Sequence, residues 1–79
     1  MSDLKVVQTL DTSGLSCPLP VVKTKKAING IQIGEILEMI STDAGSIPDM
    51  EAWSRQTGNE LLEQSEEDGK FIFYFKRTK

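Results

Sequence analysis

The first part of the chain alternates between apolar and polar residues, and this alternation predicts a β-strand over Leu4–Leu10. The following residues, Asp11–Gly14, predict a turn. A short helix of about three turns is predicted next, because Pro18 and Pro20 are tolerated in a first helical turn but not deeper in a helix. The pair Asn29-Gly30 is typical of a helix C-terminus and predicts the end of this element.

The middle of the chain predicts a second strand and a second helix. The segment Gly34–Ser41 is dense in apolar residues, which favours a central strand buried on both faces. Ser46 is predicted to cap the helix, with Asp49 three positions later, and Gly58 is predicted to end it. One face of this helix is predicted to carry Ile47, Met50, Trp53 and Thr57, with Met50 and Trp53 as core residues.

The last part of the chain predicts a β-hairpin. One strand begins at Leu61, and Asp68-Gly69 is a strong turn signal before a final alternating strand over Phe71–Phe75. The acidic cluster of this hairpin is expected to be a solvated edge; it consists of Glu63, Glu66, Glu67 and Asp68. The edge over Phe71–Phe75 is expected either to pair with another chain or to be covered.

The order of elements is therefore βαβαββ. A strand-helix-strand unit implies a right-handed crossover and a parallel pair, whereas the terminal hairpin adds antiparallel pairing. We expect an α/β two-layer sandwich, with a mixed four-stranded sheet and both helices on one face. With 79 residues, the chain is expected to form a single domain over residues 1–79.

Composition excludes several kinds of chemistry. The chain has no histidine and one cysteine, so it cannot build a Ser-His-Asp or Cys-His arrangement or a four-ligand zinc site by itself, and no metal is expected. A net charge of −3 disfavours general binding to nucleic acid. The lone thiol, the lack of an apolar leader at the N-terminus and the lack of a stretch of about 20 apolar residues predict a cytoplasmic protein outside the membrane.

The single cysteine, Cys17, is the candidate reactive residue. It falls at or just before a helix start, where the helix dipole and unpaired amide groups favour the thiolate, and Leu19 and Val21 are the predicted donors of that first turn. A lone cysteine is often a small buried hydrophobe, but the turn-to-helix position favours exposure and reactivity here. Without a histidine, a metal or a second thiol, such a group can accept a substituent and pass it to another molecule.

Several charged residues have both a functional and a structural interpretation. Asp11 organises the loop, opposes thiolate formation or closes an ordinary turn. Asp43 and Asp49 are expected at the same edge as Cys17, where they steer partners, handle a proton or compensate a helix end. The basic patch is either a docking surface for an acidic partner or a solvated helix face; it consists of Lys23, Lys25 and Lys26.

The segment from Gly14 to Pro20, Gly-Leu-Ser-Cys-Pro-Leu-Pro, resembles the Gly-Leu-x-Cys-Pro-x-Pro signature of the TusA/SirA family of sulfur carrier proteins. Length, element order and the later segment Thr42-Asp43-x-Gly45-Ser46-x-x-Asp49 agree with that family. The supporting residues of the signature are Gly14, Leu15, Pro18 and Pro20.

The resemblance implies that Cys17 carries sulfane sulfur as a covalent persulfide, with no other cofactor. It implies a protein donor such as a cysteine desulfurase or rhodanese, and a DsrE-like acceptor. The relay would be of the sulfurtransferase type rather than a conventional turnover enzyme. The pathways it could serve are tRNA thiolation, molybdenum cofactor maturation and sulfur oxidation.

Two other classes of function stay open from the sequence. A regulatory or RNA-associated binding module is possible in this fold, because a translation initiation factor domain has a related one, although the acidic pI of about 4.8 counts against it. A single-cysteine redox sensor is the other alternative. Trp53 is followed by Ser54, so the second-helix cysteine of some relatives is absent and no two-cysteine exchange within the chain can occur.

Overall fold

The computed structural model describes residues 6–16 and 19–78, and these residues form the predicted βαβαββ order. The elements are β1 (Val6–Thr12), α1 (Leu19–Ile28), β2 (Ile36–Ser41), α2 (Ser46–Thr57), β3 (Glu60–Glu67) and β4 (Lys70–Lys76). In the described part of the chain, no helix is long and apolar enough to cross a membrane.

The four strands form one mixed sheet in the order β1-β2-β4-β3. Strands β1 and β2 are parallel, and β4 is antiparallel to both β2 and β3. The predicted mixed sheet is confirmed, and β2 is a central strand. The expectation of an exposed edge at Phe71–Phe75 is wrong, because β4 lies between β2 and β3 and the edges of the sheet are β1 and β3.

The core lies between the helices and one face of the sheet. Leu37 and Met39 of β2 stand opposite Phe75 and Phe73 of β4, and all four side chains are at most 1% exposed. Trp53 of α2 packs edge-on against Phe75, with ring centroids 5.2 Å apart. The helices complete this core with Ile28, Met50 and Trp53, which confirms Met50 and Trp53 as core residues.

The two faces of β2 differ in burial, which corrects the expectation of a strand buried on both sides. Leu37, Met39 and Ser41 are buried, whereas the alternate residues Ile36, Glu38 and Ile40 are half-buried. The apolar density of the segment is typical of a doubly covered strand, but both helices pack on the same side. Its second apolar row lies on the open face of the sheet.

Helix α1 turns one stripe of residues towards the core. Its buried residues are Pro20, Thr24 and Ile28, which recur every fourth position and share one helical face. The Thr24 hydroxyl donates to the carbonyl of Pro20 at 2.7 Å, so this buried hydroxyl is satisfied within the helix.

Helix α2 ends as predicted but begins differently. Gly58, with a φ of 81°, adopts the left-handed conformation that favours glycine, and its N–H donates to the carbonyl of Ser54. The N-cap is Gly45 rather than Ser46, and no side chain caps it. Ser46 is the first helical residue, and its hydroxyl donates back to the carbonyl of Asp43 at 2.6 Å.

The two predicted turns are present, but the first is shorter than the sequence predicts. Strand β1 continues through Asp11 and Thr12, which were predicted to be turn residues, so that only Ser13 and Gly14 form the turn. The hairpin turn is confirmed at Asp68-Gly69, where both residues have positive φ (51° and 78°), as a tight two-residue connection requires.

Candidate functional site

Two strand-to-helix junctions lie side by side at one edge of the sheet. The parallel strands β1 and β2 end together, with Thr12 paired to Ser41, and each chain segment then enters a helix. The first junction spans residues 13–18 and the second spans residues 42–45. Cys17 and Pro18 belong to the first junction but lie outside the described residues, so the candidate site is defined by the residues on either side of them.

The first junction begins with a turn closed by hydrogen bonds. The Asp11 carboxylate accepts the Ser13 N–H at 2.9 Å, and the Leu15 N–H donates to the carbonyl of Thr12 at 3.1 Å. Gly14 has a φ of 82°, a conformation that side chains disfavour, and this explains why the signature has glycine there. Leu15 is half-buried, which anchors the chain just before the thiol-bearing segment.

The two junctions are joined directly. The Gly14 N–H donates to the Thr42 hydroxyl oxygen at 2.8 Å, so the loop that carries the signature is held against the end of β2. Beneath this contact, the Thr12 hydroxyl donates to the carbonyl of Ile40 at 2.5 Å. Thr12 is fully buried, and its side chain therefore fixes the end of β1 to β2.

The far side of the first junction is fixed by the start of α1. The Leu19 N–H donates to the carbonyl of Ser16 at 2.9 Å, so it has a partner within the backbone. The prediction that the Leu19 amide is an available donor is therefore wrong. Pro20 is fully buried and packs the first turn of α1 into the core, whereas Leu19 is 44% exposed.

The second junction is built around Asp43. Its carboxylate accepts the Gly45 N–H at 3.0 Å, and its own N–H donates to the Ser41 hydroxyl at 3.1 Å. Its carbonyl accepts both the Ser46 N–H at 2.9 Å and the Ser46 hydroxyl. Asp43 therefore has a structural role in this turn, and Asp49 lies in the first turn of α2, as predicted.

Asp11 lies just before the signature, and the pKa of its carboxyl is perturbed. Hydrogen bonds from the Ser13 side chain and backbone lower the pKa of the Asp11 carboxyl below its ordinary value, with a smaller contribution from the positive charge of Lys70, against a small opposing effect of burial. Asp11 is exposed and ionised at neutral pH. The interpretation of Asp11 as a turn-closing residue agrees with this geometry.

The outward face of α1 is partly apolar and partly basic. Leu19 is 44% exposed and Val22 is 56% exposed, and both stand on the side of the helix away from the buried stripe. Lys23, Lys25 and Lys26 are all exposed, and α1 has no acidic residue in its first turn. We call the side chains of Leu19, Val22, Lys23 and Lys26 the outer face of α1, since they recur at helical spacing.

The exposed apolar residues of this face were missed in the sequence. The signal was present, because Pro20, Thr24 and Ile28 define the buried stripe at a spacing of four residues, and Leu19 and Val22 fall outside it. Thr24 concealed that stripe, since a threonine does not register as a core position. Among the described residues, no group of three or more acidic, cysteine or histidine side chains could hold a metal ion.

The model of the family described as "Sulfurtransferase TusA" matches residues 8–77, and the chain belongs to this family. It is 51% identical over 71 residues to the sulfur carrier protein TusA of Allochromatium vinosum, a match that covers 90% of this chain and 93% of the relative. It is 47% identical over 79 residues to a putative sulfur carrier protein of Halobacterium salinarum, covering 99% and 98% of the two chains.

The fold matches a solved structure as well. The SirA-like protein from Desulfitobacterium hafniense superposes with a TM-score of 0.80 and 23% identity, covering 91% of this chain and 99% of the other. The resemblance to the TusA/SirA family is thus confirmed, and so is the two-layer α/β fold with both helices on one face of the sheet.

Proposed function

We propose that this protein is a sulfur carrier whose Cys17 accepts sulfane sulfur as a persulfide and passes it to the thiol of a partner protein. The Cys17 thiolate attacks the outer sulfur of a donor persulfide, so that a new S–S bond forms on Cys17 and the donor leaves as a thiolate. Delivery is the same step with an acceptor thiolate as the attacking group. Sulfur is exchanged between thiols, so neither step needs an external oxidant or reductant.

The observation that carries this proposal is the hydrogen-bonded chain on either side of Cys17, in a protein whose relatives are named sulfur carrier proteins. Hydrogen bonds at Ser13, Gly14, Leu15 and Leu19 fix the chain on both sides of the lone thiol. A carrier needs a held but reachable sulfur, and it needs no acid, base or metal of its own. We expect the relay to work in the cytoplasm, where a single thiol stays reduced.

The outer face of α1 supplies a docking surface for the donor and the acceptor. Leu19 within the signature and Val22 just after it offer exposed apolar area, and Lys23 and Lys26 add positive charge on a protein of net charge −3. The partners expected here are a cysteine desulfurase or rhodanese as donor and a DsrE-like protein as acceptor. The process served would be tRNA thiolation, molybdenum cofactor maturation or sulfur oxidation.

Sulfur loading tests the proposal. The purified chain is incubated with a cysteine desulfurase and cysteine, or with a rhodanese and thiosulfate, and its intact mass is measured without reductant. The expected result is a gain of about 32 Da, one sulfur, that a reductant removes and that the Cys17→Ser variant does not show.

A matched control moves the thiol by one residue. The double variant Ser16→Cys with Cys17→Ser keeps one thiol in the same junction, and we expect it to load about 10- to 100-fold more slowly because the sulfur is misplaced relative to the donor. Equal loading of this variant would contradict a positioned carrier. A native thiol that gains oxygen from peroxide but no sulfur from either donor would instead support a redox sensor. A native thiol that gains neither oxygen nor sulfur would support a binding module.

Charge reversal on α1 tests the docking surface. We expect the double variant Lys23→Glu with Lys26→Glu to slow loading by the donor about tenfold at low salt, with a smaller difference at high salt, since rim charges act mainly on association. The matched control is the double variant Lys70→Glu with Lys76→Glu, which reverses two exposed lysines at the ends of β4. An equal effect of both changes would show that net charge alone is responsible.

A further inference from the structure

The open face of the sheet carries a row of three polar side chains, one on each of the neighbouring strands β2, β4 and β3. Glu38 of β2 pairs with Tyr74 of β4, and Tyr74 pairs with Glu63 of β3. Paired residues point to the same face, and neighbouring strands are about 4.8 Å apart, so the tyrosine lies between two glutamates whose strands are about 10 Å apart. We call these three residues the Glu-Tyr-Glu row.

The row is held in place by hydrogen bonds at its centre. The Tyr74 hydroxyl donates to one oxygen of Glu38 at 2.8 Å, and the Thr9 hydroxyl donates to the other oxygen at 2.9 Å. Glu38 and Tyr74 are half-buried, whereas Glu63 is exposed. Hydrogen bonding to Glu38, together with burial and the negative charges of Glu38, Glu63 and Glu67, raises the pKa of Tyr74 above its ordinary value, so its hydroxyl stays protonated and donating.

Apolar side chains border this row. Ile40 and Ile72 are paired across β2 and β4 one step along the open face, and both are half-buried. The face also carries Asp11, Glu60 and Glu67, with Lys70 and Lys76 at the two ends of β4. Among the described residues of this face, carboxylates therefore outnumber lysines, and Lys70 and Lys76 lie away from its middle.

We propose that the Glu-Tyr-Glu row, with Ile40 and Ile72, binds an arginine-bearing segment of a partner protein. A guanidinium group matches the row in three ways: it pairs with carboxylates in a planar fork, it stacks on an aromatic ring, and it is weakly hydrated. An aliphatic neighbour of that arginine finds contact area on the two isoleucines.

The charge of this face decides against other occupants. A second copy of the chain bound face to face would bring Glu38 and Glu63 against the same carboxylates, which costs free energy. Anionic surfaces such as nucleic acid or phospholipid are repelled for the same reason. The proposed binding does not depend on Cys17, and it uses the opposite side of the sheet from the outer face of α1.

Titration with synthetic peptides, followed by amide chemical shifts, tests the inference on the full chain carrying Cys17→Ser, which removes thiol chemistry. The probes are acetylated, amidated Val-Arg-Val-Arg-Val, the same peptide with lysine, and the same peptide with citrulline, a neutral isostere of arginine. We expect the arginine peptide to bind several-fold more tightly than the lysine peptide, and the citrulline peptide to give no shifts. The shifts should map to Thr9, Glu38, Ile72 and Tyr74.

Two variants locate the site. We expect Glu63→Gln to weaken arginine-peptide binding about five- to tenfold, and it should not unfold the chain because Glu63 is exposed on an edge strand. Glu51→Gln removes the same charge from α2, on the other side of the sheet, and should leave binding unchanged. Equal weakening by both variants, shifts spread over all acidic residues, or equal binding of arginine and lysine peptides would overturn the inference.

Discussion

The two strand-to-helix junctions have the same topology but differ in length and in the contacts of their residues. Each follows a parallel strand, at paired residues Thr12 and Ser41, and each leads into a helix at the same edge. The second junction is short and closed on itself, because Asp43 contacts Ser41, Gly45 and Ser46. The first is longer, carries the lone thiol, and has hydrogen bonds among its described residues on both sides of Cys17.

The second junction has a structural role, whereas we propose a chemical role for the first. In the second junction, the hydrogen-bonding groups of Asp43 are used to start α2. In the first junction, the contacts of the described residues include those at Ser13, Gly14, Leu15 and Leu19, which lie on either side of Cys17 and Pro18. The link from Gly14 to Thr42 makes the closed junction a support for the other one.

Moving the thiol from the first junction to the second is expected to have the largest effect. In the double variant Cys17→Ser with Ala44→Cys, the thiol is placed at an exposed position of the second junction. We expect sulfur loading from a desulfurase to fall about 100-fold, since the new thiol has neither the signature around it nor the outer face of α1 beside it. The initial rate of mass gain measures this, and a rate near the native one would contradict the special role of the first junction.

Substitution of Asp43 tests the structural role of the second junction. We expect Asp43→Ala to lower the free energy of unfolding by about 1 kcal/mol, because the Gly45 N–H loses its acceptor at the start of α2. Asp43→Asn keeps an oxygen acceptor and should recover most of this loss. Urea unfolding measures both, and loading per folded molecule should be unchanged. A large loss of loading in Asp43→Asn would show instead that this carboxylate handles a proton.

Asp11 gives the smallest expected effect, and it depends on pH. The pKa of Asp11 is lowered in the folded protein, so its ionised form stabilises the fold above the ordinary carboxyl range, and that contribution is lost as the pH falls through the folded pKa, below about 4. Asp11→Asn removes this step. Urea unfolding at pH 6 and pH 3 should therefore show a slightly smaller acid loss in the variant, and an identical loss in both proteins would rule the contribution out.

Most of the fold could be predicted from local patterns. The Asp68-Gly69 turn, the Gly58 helix end and the alternation over Phe71–Phe75 each depend on a few neighbouring residues, and the structure confirms all three. The edge position of the hairpin was wrong because strand order depends on the long-range pairing of β4 with β2, and local alternation does not encode that. The apolar row of Ile36 and Ile40 was ambiguous because the local pattern does not show which face of the sheet the helices cover.

The site was only partly predictable. The lone thiol and the junction position of Cys17 are visible in the sequence, and so is the edge shared by Asp43 and Asp49. The hydrogen bond from Gly14 to Thr42 joins residues 28 positions apart, and the Glu-Tyr-Glu row joins three strands. Neither could be predicted before the strand register was known, because each depends on contacts that only the sheet creates.

A count of cyanide-labile sulfur on the loaded chain tests whether Cys17 carries a persulfide. The protein is loaded by a desulfurase and cysteine, separated from the donor, and treated with cyanide, which removes the outer sulfur of a persulfide as thiocyanate. We predict about one thiocyanate per chain, and none when Cys17 is alkylated before loading. A reactive, unalkylated Cys17 that yields no thiocyanate after loading would contradict this prediction.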